Sequence, residues 1–550
     1  MKFTRSIGAR WGLSFLAGLV LLSLWFWLVD GASPLEVLRF FTTASSDVAP
    51  PVPFGRVGGV LLVLFVLAWA LGLGIVLIQK LLGIGYGPMP VARLVVREAT
   101  RMRGSVVPIF LLLLVLAIIP ATLNTDSPLR YRIQSYLAYS LNVTSLMLGA
   151  LTVFLGCFAI SNEIQEGQAR SIFSKPVQRF QYLFGKVLGI SVLNALLVAV
   201  CGLGMAFVTT TWLARLPALD DYDGNAVREQ ILTARQVIYP QAPFDLEADA
   251  QERLARLQED NPGWIEERGG VATVYRELLH QVRTEWLSIG PHRQQTYIFS
   301  GLQNARDRGE MLQMRFLIEM MPEPPDRILR VVLLANGRQT SLATTIRSAQ
   351  VVSVPADFID ENGVLELTVV NLDPSDPETL PVASISFPAK DGLQVLFKVD
   401  DFLPNLFRSM LLIWVKLVFL AMLSVCAGTF LSFPVACIFA LTIWVLAAGS
   451  SEILDSLHFT PHEHSHGHET EEQATDFIYE RIVVPTMTLM VSGFRKYSYL
   501  DVSSRIVDGR NIPWGIVRQY LFWIGLVWSA AIGLIGWLIF RNREIARVQV

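Results

Sequence analysis

The sequence has few cysteines and few charged residues for its length. Its 550 residues include 4 cysteines, all within apolar runs, which excludes a disulfide framework and a paired-cysteine metal site. Charged residues make up 17% of the chain, against about 25% in an average soluble domain. The net charge of −2 gives no basic excess for nucleic-acid binding. An ordinary soluble domain and a nucleic-acid-binding protein are therefore both disfavoured.

A nucleotide-binding loop is also missing. The pattern GxxxxGK[ST], whose backbone amides and lysine cradle the phosphates of ATP, does not occur in the sequence. No nucleophile, base or metal pattern accompanies the many carboxylates, so we predict no catalytic residues and no directly bound cofactor. The chain is not expected to be an enzyme.

Hydrophobic residues, in contrast, make up 52% of the chain and lie in long runs. A helix needs about 20 mainly apolar residues to cross a bilayer. Eight runs approach that length: 11–29, 57–82, 106–123, 144–160, 183–211, 410–430, 433–448 and 517–540. We predict a polytopic α-helical membrane protein with about eight transmembrane helices. The first run resembles a signal peptide, but it ends in Trp25-Phe26-Trp27, where cleavage would require small side chains, and we expect an uncleaved anchor.

The distribution of lysine and arginine predicts the orientation, because short cytoplasmic loops retain these residues. With the amino terminus inside, the inner segments hold fifteen cations and the two short outer loops hold four. We therefore expect both termini in the cytoplasm, and a location in the bacterial inner membrane.

Residues 214–405 form a long polar insert that this topology places outside. It holds 29 acidic and 18 basic residues, a net charge of −11. Helical periodicity over residues 225–287 predicts two or three helices, within a helical part at 214–296. In the second part, 297–405, the period changes to two and Asn-Gly and Asp-Gly turns separate the runs, which predicts an antiparallel β-sandwich. The order of its strands and turns resembles the galactose-binding-like jelly roll.

A polar segment at 162–186 joins two apolar runs and carries the most informative pattern. Acidic residues come first, basic residues follow, and a proline between them is expected to end one short helix and start another. These candidate residues are Glu163, Glu166, Arg170, Lys175, Pro176, Arg179 and Lys186. The acidic residues have two alternative partners: cations of another protein, or Arg97 or Arg101 of the basic stretch 90–103, whose residues 91–98 are amphipathic.

The order of these pieces resembles the type-2 ABC exporter permeases. The likeness covers residues 91–550: an amphipathic basic stretch, an acidic-then-basic loop, a tight Ser432-Phe433-Pro434 turn and an ending of Phe540-Arg541-Asn542-Arg543. It implies that segment 162–186 contacts a separate cytoplasmic ATPase, which binds ATP and magnesium. It also implies a homodimer, or a heterodimer with a similar permease, within the lipid bilayer. A simpler alternative is that this loop is basic only because short cytoplasmic loops of membrane proteins retain lysine and arginine.

The resemblance divides the chain into four regions. Residues 1–89 hold two leader spans, 90–213 the first half of a permease bundle, 214–405 the insert, and 406–550 the second half. A rival hypothesis is a membrane-anchored extracytoplasmic binding or sensor protein without transport activity. Six or more spans are more than an anchor needs, which favours the permease.

The outer loop 458–472 is rich in histidine. His462, His464, His466 and His468 occupy alternate positions, and imidazoles at this spacing suit zinc, copper or nickel. No structured spacing such as HExxH is present, and ordering a flexible loop costs entropy. We therefore favour a polar loop over a metal site, and over a metal exporter that would use these histidines.

Overall fold

The computed structural model describes most of the chain. The described residues are 2–42, 55–83, 87–165, 178–267, 270–291, 293–321, 328–335, 338–345, 347, 349–371, 384–388, 392–450, 494–498 and 501–542. They form two compact units: residues 1–233 with 402–550, and residues 234–401. The sequence had placed the corresponding boundaries at 214 and 405.

The first unit is helical. Its helices before the second unit are α1 (Lys2–Leu28), α2 (Pro34–Thr42), α3 (Arg56–Leu81), α4 (Met89–Ala99), α5 (Arg103–Thr122), α6 (Leu129–Gln165), α7 (Arg179–Phe207) and α8 (Asp221–Ala226). Helix α7 continues through a π-helical turn, Val208–Trp212, and a 3₁₀ turn, Leu213–Arg215. Helix α8 continues in the same way through Val227–Ile231.

The second unit mixes helices with antiparallel sheets. Its helices are α9 (Leu246–Asp260), α10 (Pro262–Glu267), α11 (Val271–Trp286) and α12 (Gln303–Arg308). Its strands are β1 (Thr233–Ile238, which begins one residue before the unit), β2 (Ser288–Ile289), β3 (Gln294–Phe299), β4 (Leu312–Phe316), β5 (Glu319–Met321), β6 (Ile328–Ala335), β7 (Arg338–Thr345), β8 (Gln350–Val354), β9 (Leu365–Val370), β10 (Ser384–Ser386) and β11 (Leu393–Asp401). The sheets have the orders β1-β11-β4-β8, β2-β10-β5 and β3-β9-β6-β7.

The first unit resumes with helices α13 (Phe402–Phe430), α14 (Phe433–Ala448), α15 (Arg495–Ser498), α16 (Val502–Val507), α17 (Trp514–Tyr520) and α18 (Ser529–Asn542). A π-helical stretch, Leu521–Trp528, joins α17 to α18 without a break.

Among the described residues, six helical segments are long and apolar enough to cross a membrane, which indicates an integral membrane protein. They are Arg56–Leu81, Arg103–Thr122, Leu129–Ile164, Arg179–Arg215, Phe402–Phe430 and Trp514–Asn542. The remaining two predicted runs are also helical, but their apolar parts, Ser14–Leu28 and Phe433–Ala448, are shorter. The prediction of a mainly helical membrane protein with antiparallel sheets is confirmed, whereas the count of eight spans stays a prediction.

Close contacts at glycines show the relative directions of the long helices. Gly59 of α3 faces Trp212 beyond the end of α7, and Gly74 faces Leu196, so α3 and α7 are antiparallel. Gly156 of α6 faces Ser424 of α13, and the Ser161 hydroxyl donates to the Gly428 carbonyl at 3.3 Å. Helices α6 and α13 therefore run in the same direction, and their carboxyl ends lie at one end of the bundle.

One helix prediction in the insert was wrong. The segment TARQVI, expected to continue a helix, is strand β1. Its β-branched threonine, valine and isoleucine favour a pleated strand, and β11 is available as its neighbour in the sheet. The other two helices are present as α9 and α11, which pack against each other through Ala250, Leu254, Val274 and Leu278.

Candidate functional site

The candidate segment 162–186 begins at the end of α6 and finishes in the first turns of α7. Residues 166–177, with Glu166, Arg170, Lys175 and Pro176, lie outside the described residues. The structure therefore describes Glu163, Arg179 and Lys186, which flank that stretch on its two sides.

Glu163 and Lys186 form a buried ion pair between α6 and α7. The Lys186 ammonium and the Tyr182 hydroxyl each donate a hydrogen bond to a different carboxylate oxygen of Glu163. Lys186 is fully buried and Glu163 is 5% exposed. Glu163 therefore bonds within the α6–α7 pair and not to Arg97 or Arg101, while the pairing of the acidic residues with another protein stays a prediction.

The local sequence explains this arrangement. Tyr182 and Lys186 are four residues apart, so they lie on the same face of α7 and can reach one carboxylate together. Apolar side chains of four helices form one buried cluster at this end of α6 and α7: Val95, Ala159, Ile160, Leu183, Val187, Ile190, Ala421 and Val425. A buried charge without a partner would be costly in such surroundings, so the pair fixes the end of α6 against the start of α7.

Arg179 connects the start of α7 to the end of α18. Its guanidinium donates hydrogen bonds to the carbonyl oxygens of Phe540 at 2.9 Å and Arg541 at 2.6 Å. These carbonyls belong to the last turn of α18, where a cation is favourable. The rings of Tyr182 and Phe540 stack with centroids 6.0 Å apart. Helices α6, α7 and α18 are therefore joined beside the candidate segment.

Helix α4 packs closely on α7 at two glycines. A Cβ atom on Gly185 would lie 2.8 Å from the Pro88 carbonyl, and one on Gly189 would lie 2.8 Å from the Ala92 carbonyl. Only glycine allows the two backbones to approach this closely. The sequence predicted the helix over 91–98, and the structure gives it an apolar buried face, with Leu94 and Arg97 exposed.

Helix α13 also reaches this end of the bundle. The Ser161 hydroxyl, two residues before Glu163, lies within hydrogen-bonding distance of the carbonyls of Gly428 (3.3 Å) and Leu431 (3.2 Å). These are the last carbonyls of α13 and of the turn that follows it. The described flanks of the candidate segment therefore contact the ends of α4, α13 and α18.

The charge at this end is positive. Among the described residues, the helix ends and connections here carry two acids, Glu98 and Glu163, and eight cations: Lys80, Arg93, Arg97, Arg101, Arg103, Arg179, Lys186 and Arg541. The pairing of Glu163 with Lys186 leaves a cationic surface.

The opposite end of the bundle is organised around a buried carboxylate. Asp223 of α8 accepts hydrogen bonds from the backbone N–H groups of Leu129 (2.6 Å), Arg130 (3.0 Å) and Leu219 (3.3 Å). Burial acts to raise the pKa of the Asp223 carboxyl, but these three donors outweigh it, and the pKa lies below its usual value. Asp223 thereby caps the start of α6.

The candidate histidines, His462, His464, His466 and His468, lie outside the described residues. Within the described part of the chain, no group of three or more histidine, cysteine or carboxylate side chains could hold a metal ion. The four cysteines are unpaired, and three of them are buried in the bundle.

Sequence reasoning missed the role of Tyr182. Its signal was the spacing of Tyr182 and Lys186, which places a hydroxyl and an ammonium on one helix face opposite an acidic residue at the end of the preceding helix. Comparison of the chain with protein-family models, with curated proteins and with solved structures gave no match.

Proposed function

We propose that this chain is the membrane-spanning permease subunit of an ABC-type exporter. In this proposal a separate cytoplasmic ATPase contacts segment 162–186, hydrolyses ATP with magnesium, and drives movement of the helices. The observation that carries the proposal is the anchoring of this segment on both sides by the Glu163–Tyr182–Lys186 cluster and by Arg179.

A coupling segment must transmit force to the membrane helices. A loop that merely connects two spans needs no stiff base, whereas a coupling element must move several helices together when its tip is pushed. The buried ion pair holds α6 to α7, and Arg179 holds α7 to α18. The close glycine contacts hold α7 to α4. A displacement of residues 166–177 would therefore be passed to four helices.

The positive charge at this end supports its orientation toward the cytoplasm, because short loops rich in lysine and arginine are retained there. In a bacterial inner membrane this orientation also leaves both termini inside and residues 214–405 outside. Exporters of this kind work as pairs, so we propose a homodimer, or a heterodimer with a similar permease. We propose no nucleic-acid partner.

Copurification tests the association. The tagged full chain is co-expressed with its candidate ATPase, which we expect to be encoded in a neighbouring gene, and purified in mild detergent. We expect the ATPase to be retained by the wild type and by Lys80→Glu, a charge reversal elsewhere at the same end, and to be lost with Arg170→Glu. Retention that is equal in all three would contradict the proposal. A chain that binds a ligand outside the membrane but never an ATPase would support the sensor instead.

Labelling tests the orientation. A cysteine at position 168, in a variant whose half-buried Cys437 is replaced by alanine, is treated with a membrane-impermeant maleimide. We expect labelling only after the cells are permeabilised. Labelling of intact spheroplasts would place the segment outside and exclude the coupling role.

A further inference from the structure

Helix α4 and the turn that follows it carry a row of arginines. Arg93 and Arg97 are one helical turn apart, about 6 Å along the helix axis, so they lie on the same side of α4. Arg101 follows in the turn that leads to α5. This turn is tight, because the N–H group of Met102 donates to the Glu98 carbonyl at 3.0 Å. Arg101 is therefore held close to the end of α4.

The guanidinium groups of these three arginines have no protein partner within the described part of the chain. None of them forms an ion pair or a hydrogen bond there, and the Nε atom of Arg93 is buried without an acceptor. Arg179 and Lys186, at the same end of the bundle, donate instead to carbonyl oxygens and to Glu163. A guanidinium presents several N–H donors in a plane that matches two oxygens of a phosphate. The row therefore offers donors that the bundle itself does not use.

The half-buried Arg93 lies against the end of α3. A Cβ atom on Gly83 would lie 3.0 Å from the Cζ and Nη1 atoms of Arg93. Leu77 and Leu81 precede Gly83 by one and a half turns or less, and both are exposed. Because α3 is one of the segments that can cross a membrane, these leucines are placed to face lipid chains. The guanidinium thus lies where an exposed apolar strip of α3 ends.

Apolar side chains are also exposed beside the arginines themselves. Leu94, between Arg93 and Arg97, is exposed, whereas α4 buries another face: Ala92, Val95, Val96 and Ala99. Near the start of α5, Val107 and Leu111 are one turn apart and exposed. Cations next to exposed apolar residues suit the boundary between the head groups and the acyl chains of a bilayer. This mixture favours a lipid over an acidic protein surface, which would leave the apolar residues unmatched.

We propose that Arg93 and Arg97 bind the phosphate of an anionic phospholipid, whose acyl chains lie against the exposed leucines of α3 and α4. Arg101 adds to the positive potential around the head group. A basic end of a bundle attracts anionic lipids diffusely, whereas a guanidinium fixed against the α3 backbone gives this site a defined position. The inference adds a lipid ligand to the chain and does not depend on its coupling to an ATPase.

The test uses the purified full chain in dodecyl maltoside without any ATPase. Dioleoyl phosphatidylglycerol is the probe, and native mass spectrometry measures the fraction of chain that carries it at each lipid concentration. We expect Arg93→Gln and Arg97→Gln each to weaken binding about tenfold, as loss of a charge-assisted contact does. Arg97→Lys keeps the charge and should retain most of the affinity. Arg541→Gln, which removes an exposed cation at the end of α18, is the control and should stay within about twofold of the wild type.

Two further probes show which part of the lipid is recognised. Dioleoyl phosphatidylcholine has the same chains without the net charge, and its weaker binding should be unchanged in the arginine variants. Inorganic phosphate has the charge without the chains, and it should not displace phosphatidylglycerol at equal concentration. Effective displacement by inorganic phosphate would show a site for a free anion and overturn the assignment to a lipid.

Phosphatidylglycerol affinity within twofold of the wild type in both glutamine variants would overturn the site, and so would equal loss of both lipids. Thermal melting identifies misfolding, and Arg97→Gln, at an exposed position, provides the measurement if Arg93→Gln does not fold. Loss of the ATPase from copurified Arg97→Gln, with unchanged lipid binding, would assign the arginines to a protein partner and overturn the proposal. Because the lipid titration contains no ATPase, its outcome is independent of the coupling experiments.

Discussion

The buried ion pair Glu163–Lys186, beside segment 162–186, gives the sharpest stability prediction. We expect Glu163→Gln to leave the ammonium of Lys186 buried and unpaired, and Lys186→Met to leave the carboxylate with Tyr182 alone. Removal of one partner of a buried pair typically costs about 3–5 kcal/mol. Lys186 is fully buried, so water cannot replace the lost partner and the upper part of that range applies.

The double variant distinguishes the cost of an unpaired buried charge from a simple loss of contacts. Glu163→Gln combined with Lys186→Met removes both charges, so its cost should be well below the sum of the single costs. We expect a coupling free energy of about 2 kcal/mol or more, which is characteristic of residues in direct contact.

The assay is equilibrium unfolding of the purified chain, as an SDS titration in mixed micelles or a thermal melt in detergent. Lys80→Met, an exposed lysine at the same end of the bundle, is the control and should change stability by less than about 0.5 kcal/mol. Additive single effects, or single effects no larger than that of the control, would refute the buried pair.

Three other predictions concern single positions. Gly189→Ala places a Cβ atom 2.8 Å from the backbone of α4 and should cost about 1–3 kcal/mol in a thermal melt, whereas Gly515→Ala, with no atom within 4 Å, should be neutral; equal effects would contradict the close approach. Asp223→Asn should lower the melting temperature at pH 7. Because the folded pKa of this carboxyl is depressed, its stabilisation is present above the unfolded pKa of about 3.9 and is lost as pH falls toward the folded value, so the deficit should shrink below about pH 4. The control Asp221→Asn changes an exposed carboxylate, and its effect on the melting temperature should not depend on pH in this way. If the loss of melting temperature in Asp223→Asn does not change with pH, the Asp223 carboxylate is not its source. Gly363→Ala introduces a side chain at φ +73° and 2.8 Å from a backbone nitrogen, so it should destabilise the second unit by about 1–2 kcal/mol or more; unchanged unfolding would contradict the tight turn.

Hydrophobic patterning predicted the long apolar helices of the first unit and most strands of the second. All eight apolar runs are helical, and the runs with a period of two match strands β4 to β6 and β8 to β11, whereas β3 and β7 lie outside those runs. Both signals are local: a long apolar run must satisfy its backbone hydrogen bonds internally in a bilayer, and alternation follows from the pleat of a strand.

Contacts between segments that are distant in the sequence could not be predicted as well. The segment at β1 has a helical period, but its neighbour β11 lies some 160 residues later in the chain. Glu163 was expected to bond outside α7, because nothing in its own neighbourhood shows that Lys186 points inward.

The proposed coupling of segment 162–186 to ATP hydrolysis is tested most directly by the ATPase rate of the reconstituted complex. The partner ATPase is measured with the wild-type chain, with Glu166→Lys and Arg170→Glu, and with Lys80→Glu as the control. We expect the wild type and the control to raise the rate of hydrolysis severalfold, and the two segment variants to abolish the increase while their melting temperatures stay unchanged. Full stimulation by both segment variants would contradict it.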